Sequence, residues 1–312
     1  MRRSFRLRAL NLILRLTVKT ALAWMKTPQG FRARFERDAR LFCRAPEDAN
    51  FVADTIRRAP GNGEGLINAL WASRGRPDRH RVILYLHGGA YLAGSSRTHR
   101  HLGAWLAGAA GVRAVLPDYR LAPEHPFPAG LEDALAAYRH LLASGYSGNR
   151  IALAGDSAGG GLVFALYLKL VELGLEPPAC LAGFSPWVDM TMASDSLSRN
   201  ARRDVMLPIS RFREVAEYYL GGTPPAEPLA SPVLGRFEAP PPALITASKS
   251  EILRDDAVAL AEVLRAGGGD VTLELWKDMP HAWPFFAGLI READQTVVRA
   301  GRFIARHLGD GV

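Results

Sequence analysis

From residue 82 onward the chain alternates short apolar runs with longer stretches whose apolar residues return at the helical period. The runs at 82–86, 113–116, 151–154, 181–184, 243–247 and 271–275 are mostly apolar and suit strands buried on both faces. Helical patterns lie between most of them, near 98–109, 131–143, 158–173 and 255–266, with a last one near 290–308. This alternation predicts an α/β fold built on a largely parallel sheet. Two further strand-like runs, near 51–57 and 66–72, flank the turn cluster Ala59-Pro-Gly-Asn-Gly-Glu-Gly65. No internal repeat is visible.

Two stretches stand outside the alternation. Residues 5–26 read as a helix on which Arg8, Asn11, Arg15, Lys19 and Lys26 share a narrow arc, while Leu7, Leu10, Ile13, Leu14, Leu16, Val18 and Leu22 cover most of the rest. Arg15 and Lys19 break the apolar run, so it fits neither a secretory signal nor a membrane span. Two readings stay open: a lid over an apolar pocket, the favoured one, or an amphipathic segment making peripheral contact with a membrane. Thr27-Pro28 opens a second helix, about 28–42, with Phe31, Phe35, Ala39 and Phe42 on one face. The gap between Phe184 and Ala243 is too long for one crossover, and it lands on the face where α/β enzymes place their sites. The expected organisation is a helical cap segment over 1–50 and a catalytic domain over 51–312, with 188–228 as inserted cap.

The 312 residues carry a net charge of +8, which invites a nucleic-acid partner until the charge is located. Residues 1–40 hold eleven Arg or Lys against Glu36 and Asp38; the rest of the chain has 28 bases and 29 acids. With no basic face on the body, nucleic acid is not expected. Cys43 and Cys180 are far apart and make neither a disulfide framework nor a metal set, so a reduced cytoplasmic setting is expected.

The candidate chemistry begins at Ile151-Ala-Leu-Ala-Gly-Asp-Ser-Ala-Gly-Gly160, where an apolar strand runs into G-x-S-x-G and then a helix. That context predicts a sharp elbow exposing the Ser157 hydroxyl above the sheet, with the Ala158 N–H aimed where an oxyanion would form. A serine nucleophile needs a base and an orienting acid, here expected after the serine in the order acid, then histidine. His281, in the loop after the last strand, is the best-placed base. Glu251 lies nearest the end of the 243–247 strand and is the chosen acid, with Asp255 as the alternative; Asp255 and Asp256 stand where acids cap the next helix. Leu86-His-Gly-Gly-Ala-Tyr91 follows a strand, and Gly88 and Gly89 are expected to join Ala158 as oxyanion donors, with His87 holding the loop.

Together these stretches resemble the bacterial hormone-sensitive-lipase-like family of α/β-hydrolase esterases, which includes acetyl-ester and monoterpene ε-lactone hydrolases. The resemblance rests on His87-Gly-Gly-Ala-Tyr-Leu-Ala-Gly-Ser95, Asp118-Tyr-Arg-Leu-Ala-Pro-Glu-His-Pro-Phe-Pro128 with Leu131-Glu-Asp133, Gly155-Asp-Ser-Ala-Gly-Gly160, Ser185-Pro-Trp-Val-Asp189 and Asp278-Met-Pro-His281. It implies an eight-stranded, mostly parallel sheet with flanking helices and a helical cap. It also implies hydrolysis of short- to medium-chain acyl esters or lactones through an acyl-enzyme, with no cofactor and no metal, and a homodimer as in many relatives. The Asp118–Pro128 stretch would be scaffolding for the site. The chain departs from the family pattern at Ala90, where a third glycine is usual, and at the acid, where many members carry Asp. A ligand receptor on the same scaffold is the rival reading, disfavoured because serine, histidine and acid are all present. Amide or carbamate hydrolysis at the same site stays open.

Overall fold

The computed structural model describes residues 4–25, 27–58 and 65–309; Arg2, Arg3, Lys26 and the turn cluster at 59–64 lie outside the described residues. The first helix is interrupted: α1 (Phe5–Ile13) passes into a π-helical turn (Leu14–Lys19), then α2 (Thr20–Trp24), and α3 (Pro28–Phe42) follows. Within the π turn the Thr17 hydroxyl donates to the Ile13 carbonyl, and the Thr20 hydroxyl donates to the carbonyl of Arg15. Ser4 caps α1 by accepting the Leu7 N–H, and its own N–H and hydroxyl donate to Glu292, tying the start of the chain to its last helix.

Among the described residues, eight strands form one sheet in the order β1-β2-β4-β3-β5-β6-β7-β8. They are β1 (Ala49–Arg57), β2 (Leu66–Arg74), β3 (Asp78–Leu86), β4 (Val112–Pro117), β5 (Ile151–Asp156), β6 (Cys180–Phe184), β7 (Ala243–Ser248) and β8 (Val271–Trp276). β2 runs antiparallel to both neighbours and all other pairs are parallel. Every residue of β5, β6 and β7 is buried, as continuous apolar runs require. One face is covered by α4 (Ser96–Ala110) and a long C-terminal helix (Arg291–His307), the other by α5 (Ala129–Ala143), α6 (Ser157–Glu172) and a helix over Arg254–Ala266. The insertion after β6 contributes α7 (Ser196–Arg199) and α8 (Phe212–Leu220); the last two helices are α9 (Arg254–Ala266) and α10 (Arg291–His307).

The parallel register sets Leu86 beside Gly155, Asp156 beside Phe184, Phe184 beside Thr246 and Ser248 beside Trp276. The loops leaving β3, β5, β6, β7 and β8 therefore gather along one edge, where an open α/β sheet holds its ligands. Leu7, Leu10, Leu14 and Val18 cover that edge, buried in one cluster with Met279, Trp283, Phe286 and Ile290.

Candidate active site

Ser157 stands at the junction of β5 and α6 with φ of 52°, a left-handed conformation that costs a non-glycine residue about 1–3 kcal/mol. The flanking glycines are required by close approach. A Cβ on Gly155 would lie 2.5 Å from the Gly159 carbonyl oxygen, and one on Gly159 would lie 2.1 Å from that of Leu86. The elbow expected from the motif is present, and it holds the start of α6 against the end of β3.

His281 follows β8, and its Nδ1 lies 2.6 Å from Oε2 of Glu251. Glu251 is buried in the turn after β7, where its other oxygen accepts from the Ser185 hydroxyl (2.8 Å) and the Ser248 N–H. Nε2 of His281 is buried without a hydrogen-bond partner among the described residues. His281 lines a cavity together with Ser157, Gly89 and Ala90. Burial is the largest influence on the imidazole and favours its neutral form. The Glu251 hydrogen bond with the charges of Glu251, Asp204 and Asp156 outweighs it, so the pKa of His281 lies above its ordinary value.

Asp255 is placed elsewhere. Its carboxylate pairs with Arg199 (2.7 Å) and accepts the Ser196 N–H, fastening α9 to the insertion. Asp256 is buried, accepting from the Ser194 hydroxyl (2.6 Å) and the Val188 N–H (3.3 Å), and burial pushes its pKa up to about 7.

At the oxyanion loop the geometry differs from expectation for one residue. The Gly88 N–H donates to Oδ1 of Asp156 at 3.0 Å and is engaged there. Gly89 and Ala90 line the cavity, and their N–H groups have no acceptor among the described residues. Ala90 takes φ of 57°, and a Cβ on Gly89 would meet the Ala93 carbonyl oxygen at 2.2 Å. Ala158 offers one of the unpaired N–H groups in the first turn of α6. His87 is buried with Nδ1 3.0 Å from the Gly88 carbonyl oxygen and its ring stacked 4.1 Å from Tyr119; burial lowers its pKa to about 3, so it is neutral. The Tyr119 hydroxyl donates to the His87 carbonyl, and Arg120 pairs with buried Asp133. The 118–128 stretch thus holds the loop from beneath.

Sequence reasoning missed four residues that organise the site. Ser185 bridges Glu251 and the Ala282 N–H, Asp156 pins Gly88, and the Asn200 amide donates to the Glu251 carbonyl (2.8 Å). Asp204 accepts the Ile252 N–H (2.9 Å). Ser185 lies within a recognised motif, but Asn200 and Asp204 reach the acid loop across about fifty residues and leave no local pattern.

Two cavities meet at Ser157. The first, about 710 Å³ with its mouth, is walled by Leu92, Trp187, Leu207, Phe212, Val215 and Tyr218. The second, about 630 Å³, holds His281 with Val18, Phe35, Met206 and Phe285. Leu22, Phe31, Ala90 and Leu207 line both.

Residues 83–285 match the model of a family described by its alpha/beta hydrolase fold. The chain is 41% identical over 248 residues to an acetyl-hydrolase of Streptomyces hygroscopicus, covering 80% of this chain and 83% of that protein. It is 30% identical to an esterase of Acinetobacter venetianus over 93% of each. Among solved structures, an esterase of the bacterial hormone-sensitive lipase family superposes with a TM-score of 0.90 at 39% identity, over 99% of this chain and 100% of that one. The protein EstE5, soaked with p-nitrophenyl butyrate, does so at 0.90 and 36% identity over 98% and 99%. The chain belongs to the hormone-sensitive-lipase-like branch of the α/β hydrolases and is an enzyme of the serine esterase and lipase type.

Proposed function

We propose that the chain hydrolyses carboxylic esters of short- to medium-chain acyl groups, lactones included, through an acyl-enzyme on Ser157. The observation that carries this is the buried pair of Glu251 and His281 Nδ1, with the His281 Nε2 free of any partner among the described residues, in a side chain that lines one cavity with Ser157. His281 takes the hydroxyl proton as Ser157 attacks the carbonyl carbon. The resulting imidazolium is held by Glu251. The oxyanion is met by the N–H groups of Gly89, Ala90 and Ala158, with Ala90 in the place first expected of Gly88. The imidazolium then protonates the leaving alkoxide, so the alcohol belongs in the cavity that contains His281 and the acyl chain in the other. Water, deprotonated by the same imidazole, attacks the acyl-enzyme, and collapse of that second intermediate releases the acid and Ser157. A lactone keeps its alcohol tethered to the acyl chain and spans both cavities. No step calls on a cofactor or metal.

Residues 1–50 and 188–228 serve as a cap in this reading, since Leu22 and Phe31 from the first and Leu207 and Phe212 from the second wall the cavities. The test is turnover of p-nitrophenyl esters of increasing acyl length, and of lactones, by the intact protein and by Ser157→Ala. Turnover peaking at short to medium chains and absent from the variant is expected; an equal acyl burst in Ser157→Ala would overturn the assignment.

A further inference from the structure

The N-terminal helical segment carries apolar residues on two faces, and among the described residues only one of these faces is covered. Leu7, Leu10, Leu14 and Val18 are buried. Away from them Phe5, Leu12 and Leu16, spaced i, i+7, i+11, are 84%, 59% and 65% exposed, and Trp24 at the end of α2 is 78% exposed. Much of the polar arc is turned inward: Asn11 donates to the Asp278 carbonyl (2.9 Å), and Lys19 to the carbonyls of Ala201 (2.7 Å) and Asp204 (2.6 Å). Arg6, Arg8 and Arg15 remain exposed around the stripe, with exposed Arg203 in contact through the Arg15 guanidinium. The sequence adds Arg2 and Arg3 just ahead of Phe5.

We infer that this stripe docks on an anionic lipid surface. Phe5, Leu12, Leu16 and Trp24 would enter the boundary between headgroups and acyl chains while the arginines pair with the headgroups. A second copy of the chain is the competing apolar occupant, but a two-fold contact through the stripe sets arginines against arginines, whereas anionic lipid complements them. The net positive charge lies within residues 1–40, because the chain after residue 40 has 28 bases against 29 acids. From its inner side the same segment lines the two cavities through Val18, Leu22 and Met25. Docking therefore brings the cavities to the place where poorly soluble esters reside, a consequence that rests on the proposed esterase reading.

The test is sedimentation of the full chain with phosphatidylcholine vesicles, with and without phosphatidylglycerol, at low and high salt, for the wild type and a Leu12→Ser, Leu16→Ser double variant. Binding is expected to the anionic vesicles, to fall as salt rises, and to weaken on the order of tenfold in the variant. Turnover of a soluble ester without vesicles is expected to be unchanged, because neither side chain lines a cavity. No binding to the anionic vesicles, equal binding by the variant, or a solution dimer that the variant dissociates would each overturn the inference. Binding by a protein inert toward every ester would overturn the esterase reading alone.

Discussion

The N–H of Gly88 donates to Oδ1 of Asp156, the residue immediately before Ser157, so the loop after β3 and the elbow after β5 are clamped together directly. The same oxygen accepts from the Tyr85 hydroxyl at 2.7 Å, and His99 lies 3.5 Å away. Burial opposes the charge on Asp156, but His99 and the Tyr85 hydroxyl hold its pKa below the ordinary value. Asp156→Ala strands two buried donors, each costing about 1–3 kcal/mol, and releases the loop that presents Gly89 and Ala90. Expected are a lower melting temperature and a loss of roughly tenfold or more in kcat, with partial rescue by Asp156→Asn, which keeps an acceptor for Gly88. Unchanged kcat in the Ala variant would mean that the loop does not need the clamp.

The elbow and the base were legible because their signals are local: a strand, a turn that only glycines allow, a helix, and a histidine just past the last strand. The acid was ambiguous for a reason visible in the structure. Glu251 and Asp255 are four residues apart, and what separates them is Arg199 in the insertion, which takes Asp255. Gly88 was expected as a donor because close approach and donation both favour glycine, and in the structure its N–H is bonded to Asp156. At Gly88 the reason is steric, since a Cβ would lie 2.2 Å from Asp156 Oδ2. The π turn depends on hydroxyl-to-carbonyl bonds that apolar periodicity does not report.

In the proposed mechanism His281 must be neutral to accept the Ser157 proton, and its pKa is raised. The value of kcat/KM should therefore fall as pH drops through a midpoint above the ordinary 6.5. Glu251→Gln removes both contributions of that carboxylate, so the midpoint should move down while kcat falls by about 10²–10⁴. Kinetics on a short p-nitrophenyl ester from about pH 5 to about pH 8 check both. A wild-type midpoint at or below 6.5 would contradict the electrostatic account.

Asp256 supplies a stability prediction with the opposite pH sense to a salt-bridged carboxylate. Burial raises its folded pKa to about 7 from an ordinary 3.8, so between these values the folded protein binds the extra proton and stability falls as pH rises. The full penalty above that window is about 4 kcal/mol at most. Asp256→Asn removes the titration; its amide oxygen accepts from the Val188 N–H while its NH2 donates to the Ser194 hydroxyl. Its melting temperature should exceed that of wild type at about pH 8 and converge with it near about pH 4. Equal melting temperatures at both would show that the carboxyl is not destabilised by burial.

Phe31 is the largest side chain among the residues that line both cavities. It enters from the first turns of α3, meets Phe35 edge-on at 6.0 Å, and belongs to the lining of both cavities. It is only half-buried, so Phe31→Ala should cost little stability. The lost ring joins the space beside Ser157 to the space beside His281, and the acyl chain is then no longer confined to one side. Discrimination by a pocket wall is worth about 1–3 kcal/mol, so kcat/KM for long-chain p-nitrophenyl esters should rise roughly tenfold relative to the acetate. Because Phe31 touches neither Glu251 nor the clamp at Asp156, the pH midpoint should stay where it is. A shift in that midpoint, or an unaltered chain-length profile, would mean that another residue forms the wall.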